Sequence, residues 1–472
     1  EVAALISPRP LIIEASRGPE VSGPPPETKE RRGATPNGRL VPAPLEAVEE
    51  ELKRARPYYA GLRAGDRLQL VASGGGTGPP GSAEALRVLL GSLGVKWGVA
   101  GQAPEFTDTG RARMPVPTAG QAGMPVPAER LKRQFDELVA HTQALVRQSP
   151  ARRAEFWSRA DTSSAERWKQ STSFYRDYIW EEMIGRLPPP SLAPNPRTRL
   201  LYDEEKYGGY EVMLDVWPDV FTYGILLLPK DIRPGERRPV VVCQHGLEGR
   251  PRDVADPRSD HPAYHRFAVR LAEEGFITFA PQNPYIGQDR FRTIQRKAHP
   301  LKLSLFSFIV GQHQRLLEWL AGLPFVDPER IGFYGLSYGG KTAVRVPPLL
   351  YGYALSICSA DFNEWVWKNT SVEARYSYLL TQEYEMVEFD LANVANYAEL
   401  AGLVAPRPFM VERGHNDGVA PDEWVAYEYA KVRRLYARLK IPDRTEIEFF
   451  DGRHTIHGQG TFAFLRRYLR RP

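Results

Sequence analysis

From residue 210 onward the chain alternates short apolar runs with stretches of helical period, and no other feature restricts its fold as strongly. Pro239 to Gln244, Phe276 to Ala280, Arg330 to Tyr334, Ala354 to Cys358, Phe409 to Glu412 and Glu446 to Phe450 are mostly apolar and end abruptly. Runs of this kind lie inside parallel sheets covered on both faces. Between them, His261 to Glu274, Leu303 to Leu320, Tyr338 to Leu350, Asp422 to Leu439 and Gly460 to Leu469 place apolar residues at helical spacing. Neighbouring parallel strands need a crossover, so the alternation predicts an α/β fold with a doubly wound, mostly parallel sheet. Tyr210 to Val216 and Phe221 to Leu228, separated by Trp217-Pro218-Asp219, predict a leading hairpin.

The front of the chain repeats part of its end. Ile6-Ser7-Pro8-Arg9-Pro10-Leu11-Ile12-Ile13-Glu14 matches Val404-Ala405-Pro406-Arg407-Pro408-Phe409-Met410-Val411-Glu412. From Pro44 to Arg67 the likeness resumes, with ten of 24 positions identical to Pro421 to Arg444. A shared apolar period does not reproduce Pro-Arg-Pro or Asp-Arg, so residues 1–94 are expected to be a degenerate closing part of an earlier copy of the same domain. The extra loop of that copy holds Pro24-Pro25-Pro26, and residues 95–128, with Met-Pro-Val-Pro twice, read as a Pro/Gly-rich linker. Residues 129–186 are helical in period, and 129–209 are expected to form a helical N-terminal extension to a domain over 210–472.

With 472 residues the chain can bury more than one core. Lys and Arg number 62 against 57 Asp and Glu, without a basic run interleaved with aromatics, so no nucleic-acid partner is expected. No apolar run approaches the roughly 18 residues of a membrane span, so the chain is expected to be soluble with no membrane partner. Cys243 and Cys358 have neither framework nor metal-ligand spacing and are expected to be free and buried, on strands separated by the one that leads to Ser337. The first residue is Glu1, which leaves the compartment unknown and a removed signal peptide compatible with the sequence.

Gly335-Leu336-Ser337-Tyr338-Gly339 carries the chemistry, because it follows a strand and opens a helix. Glycines on both sides allow a sharp turn that exposes the Ser337 hydroxyl at the carboxyl edge of the sheet. Upstream, a strand ending in Gln244-His245-Gly246-Leu247 brings a second loop to that edge. The N–H groups of Leu247 and Tyr338 are candidates for an oxyanion hole, and the His245 side chain reads as structural. All nine histidines lie beyond residue 140. His454, on the loop after the last strand, is the favoured base and His457 the alternative. For the acid, Asp417 lies on the loop after the preceding strand. Glu412 and Asp361 are rivals; the first copy keeps Glu14 at the place of Glu412 without any histidine, which favours a structural role there.

These motifs together resemble the α/β-hydrolase superfamily, over a little more than half of the chain. The Gly-Leu-Ser-Tyr-Gly-Gly elbow, the His-Gly strand end and the Ala-Pro-Arg-Pro strand are similar to the dienelactone hydrolase and acetyl xylan esterase-like branches. Gly340-Lys341-Thr342-Ala343 is similar to glucuronoyl esterases as well. Those carry an arginine after the serine, where Tyr338 stands here, which argues against a glucuronate ester. The resemblance implies a lid at about 359–402, where aromatics such as Trp365, Trp367 and Tyr384 are frequent, and a pocket with Trp365, Trp367 and Tyr285 as wall candidates. It implies a serine hydrolase of carboxylic esters acting through an acyl-enzyme, with no metal or organic cofactor, and a small-molecule or carbohydrate ester as substrate. A serine peptidase or amidase with the same triad, and an inactive hydrolase-fold binding module, are the alternatives. A homo-oligomer is compatible with either.

Overall fold

A computed structural model describes residues 2–18, 21–22, 39–95, 127–285, 290–379 and 387–470. Pro24 to Pro26, both Met-Pro-Val-Pro segments apart from Pro127, and Tyr384 lie outside the described residues. The chain divides into two compact units, Glu1–Ala128 and Glu129–Pro472.

The second unit is built on nine strands: β1 (Arg197–Asp203), β2 (Tyr207–Trp217), β3 (Val220–Pro229), β4 (Arg238–Gln244), β5 (Ile277–Pro281), β6 (Val326–Leu336), β7 (Leu355–Ser359), β8 (Phe409–Gly414) and β9 (Thr445–Phe450). Their order across the sheet is β9-β8-β7-β6-β4-β5-β3-β2-β1. Strands β4 to β9 are parallel, whereas β1, β2 and β3 join antiparallel at one end. The expected doubly wound sheet and leading hairpin are therefore present. Along β4, Val240 and Val242 enter one buried cluster while Val241 and Cys243 enter the other, so both faces are covered. Cys243 and Cys358 are free and buried, with β6 between their strands.

Two expectations are corrected. The stretch 129–209 is not helical throughout: helical structure runs to Ile184, and β1 then pairs with β2. As an edge strand with most residues exposed, β1 lacks the apolar run that marks a central strand. The helix expected over Tyr338 to Leu350 is two short helices, Tyr338–Ala343 and Val346–Leu349, because Pro347 and Pro348 have no N–H to continue the first.

The order reverses around β4: the chain leaves to β5 on one side and returns to β6 on the other. In open α/β sheets the crevice beyond the carboxyl ends at such a point is where ligands bind. Ser337 and His245 to Leu247 lie there.

In the first unit, Leu11–Ala15 and Leu68–Ala72 pair in parallel, with the helix Leu45–Gly61 between them and Ala83–Ser92 after them. Its register pairs Leu11 with Leu68, as β8 and β9 pair Phe409 with Thr445, their counterparts in sequence. Tyr59 donates to the Arg9 carbonyl at 3.2 Å, and Tyr436 to that of Arg407 at 2.6 Å. Arg67 donates to Pro8 at 3.1 Å, and Arg444 to Pro406 at 3.0 Å. Glu14 accepts the N–H groups of Gly81 and Ser82 at 2.8 and 2.9 Å; Glu412 accepts those of His457 and Gly458 at 3.3 and 2.9 Å.

Candidate active site

Ser337 directly follows β6, with φ +59° and ψ −118°, a conformation that side-chain-bearing residues rarely hold. Close packing of backbone on backbone keeps it there. A Cβ at Gly335 would meet the Gly339 carbonyl, one at Gly339 the Gln244 carbonyl, and one at Gly340 the Ser359 carbonyl. The Ser337 N–H donates to Ser359 O at 2.9 Å, tying the turn to β7.

The loop after β4 lies against this turn, since a Cβ on Gly246 would be 3.1 Å from Ser337 Cβ. His245 is fully buried; its Nε2 accepts the Asn283 N–H at 3.3 Å and its Nδ1 lies 2.7 Å from the Gly246 carbonyl. Those partners fix the Nδ1–H tautomer. Burial pushes its pKa down to about 4, so the neutral ring braces the loop. Gly246 N–H is taken by the Tyr264 hydroxyl at 2.8 Å. Neither the Leu247 nor the Tyr338 N–H meets an acceptor among the described residues.

Asp417 follows β8 and His454 follows β9, at the same carboxyl edge. The two loops touch: a Cβ on Gly414 would strike the Arg453 carbonyl. His454 Nδ1 lies 3.0 Å from Asp417 Oδ2. The same oxygen is 3.0 Å from Arg413 Nη1, and Oδ1 accepts the Val419 N–H at 2.9 Å. With Nδ1 directed at the carboxylate, His454 keeps Nε2 as its basic nitrogen. Arg413 was not legible in the sequence as part of the site; its signal is its place at the strand end, four residues before Asp417.

The rivals are placed elsewhere. His457 Nδ1 pairs with Glu448 at 2.7 Å and its ring stacks on Phe450. Glu412 is buried under hydrogen bonds from Tyr334 at 2.8 Å and Ser359 Oγ at 2.6 Å, and burial raises its pKa. Asp361, raised likewise by burial, accepts from the Tyr397 hydroxyl. Neither carboxylate contacts His454.

Among the wall candidates, Tyr285 is buried with its ring 6.0 Å from that of Tyr338. Trp365 is instead packed in the interior, stacked on Tyr397 and donating to Glu388 at 3.0 Å. Trp367 is half-buried, its backbone N–H bonded to Glu364. A cavity of about 660 Å³ is lined in part by Tyr223, Asn283, Tyr285 and Phe308. Behind the turn, Glu388 is held by Arg345 and by Lys341 at 3.3 Å. Burial raises the Glu388 pKa, but the two cations hold it at about 2. Among the described residues no cluster of three or more His, Cys, Asp or Glu could hold a metal ion, and no helix is long and apolar enough to cross a membrane.

No protein-family profile matches the chain. It is 28% identical over 152 residues to "Probable dipeptidyl peptidase 4" of Aspergillus clavatus, a match covering 32% of this chain and 19% of that protein. The chain thus spans far less than two thirds of that relative. Among solved structures it is similar to a glucuronoyl esterase from Solibacter usitatus, at 13% identity over 65% of this chain and 94% of that one, with a TM-score of 0.49. It is also similar to acetyl xylan esterase 1 from Thermoanaerobacterium sp. JW/SL YS485, at 15% identity over 64% and 93%, with a TM-score of 0.42.

Proposed function

We propose that the second unit is an α/β-hydrolase domain acting as a serine hydrolase of carboxylic esters, with Ser337 as nucleophile, His454 as general base and Asp417 as the orienting acid. The observation that carries this reading is the 3.0 Å contact between His454 Nδ1 and Asp417, on loops at the same sheet edge as the left-handed Ser337 turn. Ser337 Oγ attacks the ester carbonyl while His454 Nε2 takes its proton. The Leu247 and Tyr338 N–H groups receive the oxyanion. His454 then returns the proton to the departing alcohol, and a water repeats the sequence on the acyl-enzyme. Asp417 holds the tautomer and stabilises the imidazolium. The chain order Ser, Asp, His is that of α/β-hydrolases.

A fluorophosphonate probe tests the reading, with stoichiometric labelling at Ser337 expected and none in Ser337→Ala. Absence of labelling in the folded native protein would support a binding module instead. Esters from short acyl chains to acetylated sugars, run beside matched amides, separate esterase from peptidase action, the latter kept in view by the dipeptidyl peptidase match.

Residues 1–94 we read as the closing strands of an earlier copy, unable to hydrolyse by this mechanism because no histidine precedes residue 140. The matched register and the Glu14 and Glu412 hydrogen bonds support this. Leu86, Leu89 and Leu93 are 40%, 43% and 67% exposed, whereas their counterparts Phe462, Leu465 and Leu469 are buried. The segment at about 359–402 we read as the lid.

A further inference from the structure

Beside the reacting groups, three polar side chains lack partners. Both Glu248 carboxylate oxygens, the Asn283 amide nitrogen and the Tyr285 hydroxyl are buried without a hydrogen bond. Asn283 is 2% exposed and Tyr285 6%. Glu248 directly follows Leu247, one of the two amides assigned to the oxyanion, and is held with φ +59°. The segment carrying Asn283 and Tyr285 is bound to that loop: Asn283 N–H donates to His245, and Gln282 Nε2 reaches the Gly249 and Tyr285 carbonyls at 3.5 and 3.3 Å. The Glu248 charge and the Asn283 amide both act on Tyr285, yet no bond of good geometry closes among the three. Buried acceptors and donors left unpaired cost free energy that a bound partner would return.

We propose that Glu248, Asn283 and Tyr285 form a polar subsite that holds a substrate hydroxyl next to the scissile ester, making the enzyme selective for esters of polyhydroxylated alcohols such as sugars. This rests on the ester-hydrolase reading of Ser337. A hydroxyl is at once donor and acceptor, so it can donate to Glu248 and accept from Asn283. An ammonium would satisfy Glu248 and leave the Asn283 donor unpaired, and a plain alkyl group would leave all three unpaired. A site built to bond a hydroxyl discriminates strongly against the analogue that lacks it.

The test compares trans-1,2-cyclohexanediol monoacetate, cyclohexyl acetate and 4-aminocyclohexyl acetate, read as ratios of kcat/KM so that losses common to all three cancel. The full chain should favour the hydroxylated ester over cyclohexyl acetate by about 10- to 100-fold. Glu248→Leu and Asn283→Leu should each lower that ratio by about tenfold or more. Because no bond of good geometry ties either group to the protein, the thermal midpoint should hold or rise. An unchanged ratio in both variants overturns the subsite, as does a midpoint that falls while the ratio stays. Preference for the amino ester, lost in Glu248→Leu, overturns it in favour of a cation site. Fluorophosphonate labelling of Ser337 with no hydroxyl preference overturns the subsite alone. No labelling and no turnover overturns the hydrolase reading with it.

Discussion

Replacing Asp417 by asparagine changes one atom and leaves every donor around it in place. His454 Nδ1 and Arg413 Nη1 both face Oδ2, and the Val419 N–H faces Oδ1. If the amide nitrogen takes the Oδ2 position, it opposes Arg413 and forces His454 to accept at Nδ1, which puts the proton on Nε2 and removes the base. If it takes the Oδ1 position, the ring keeps its tautomer but loses the charge that stabilises its imidazolium. The first orientation predicts a loss in kcat of about 10⁴, as for a triad held in the wrong tautomer, equivalent to about 5.5 kcal/mol at about 1.4 kcal/mol per tenfold. Stability should fall by only about 1–3 kcal/mol, because Arg413 keeps Asp422 at 3.3 Å and the Asp417 carbonyl at 3.1 Å. Steady-state kinetics of the unlabelled, folded variant, with a urea titration beside it, measures both. Glu412→Gln and Asp361→Asn serve as controls: each alters a buried network and should cost stability far more than rate. The reasoning fails if Asp417→Asn keeps more than a tenth of wild-type kcat, or if Glu412→Gln is the variant that loses turnover in a folded protein.

His454→Ala should lose about 10⁴–10⁶ in kcat, whereas His457→Ala, which breaks only the Glu448 pair, should stay within tenfold of wild type; the reverse result in kinetic assays would move the base. His245 and His313 are both buried, with pKa values pushed down to about 4 and about 3 by burial. Below the unfolded value near 6.5 the unfolded chain binds the extra protons, so stability is full above about pH 6.5 and falls as pH drops toward 4, by about 3 kcal/mol for His245 alone. Urea midpoints at pH 7, 5.5 and 4.5 should descend in that order, and a flat series would contradict it. Deleting residues 1–128 should leave Ser337 labelling intact while changing the thermal midpoint or the mass distribution by light scattering; neither changing would show the first unit to be passive.

The sequence by itself determined the order and type of the central elements, because parallel strands buried on both faces must be continuous apolar runs and their crossovers must carry a helical period. It also placed Ser337, Asp417 and His454 on loops at one edge, since parallel strands all end on the same side. The likeness read from the sequence ran only to Arg67, so the parallel pairing of Leu11 with Leu68 came from the structure alone. Edge strand β1 escaped it, because a strand paired on one side and exposed elsewhere needs no apolar pattern. Which histidine meets which carboxylate was settled only in three dimensions. His454 and His457 are three residues apart, and the separation of their partners Asp417 and Glu448 depends on how the β8 and β9 loops close around Gly414. The same holds for Trp365, an aromatic that suits a pocket wall as well as a core. It is the buried Glu388, held by Lys341 and Arg345, that draws its indole N–H inward. Composition and period describe each segment's own surface; a buried polar group chooses its partner by the distance between loops far apart in the chain, and that distance exists only once the sheet has formed.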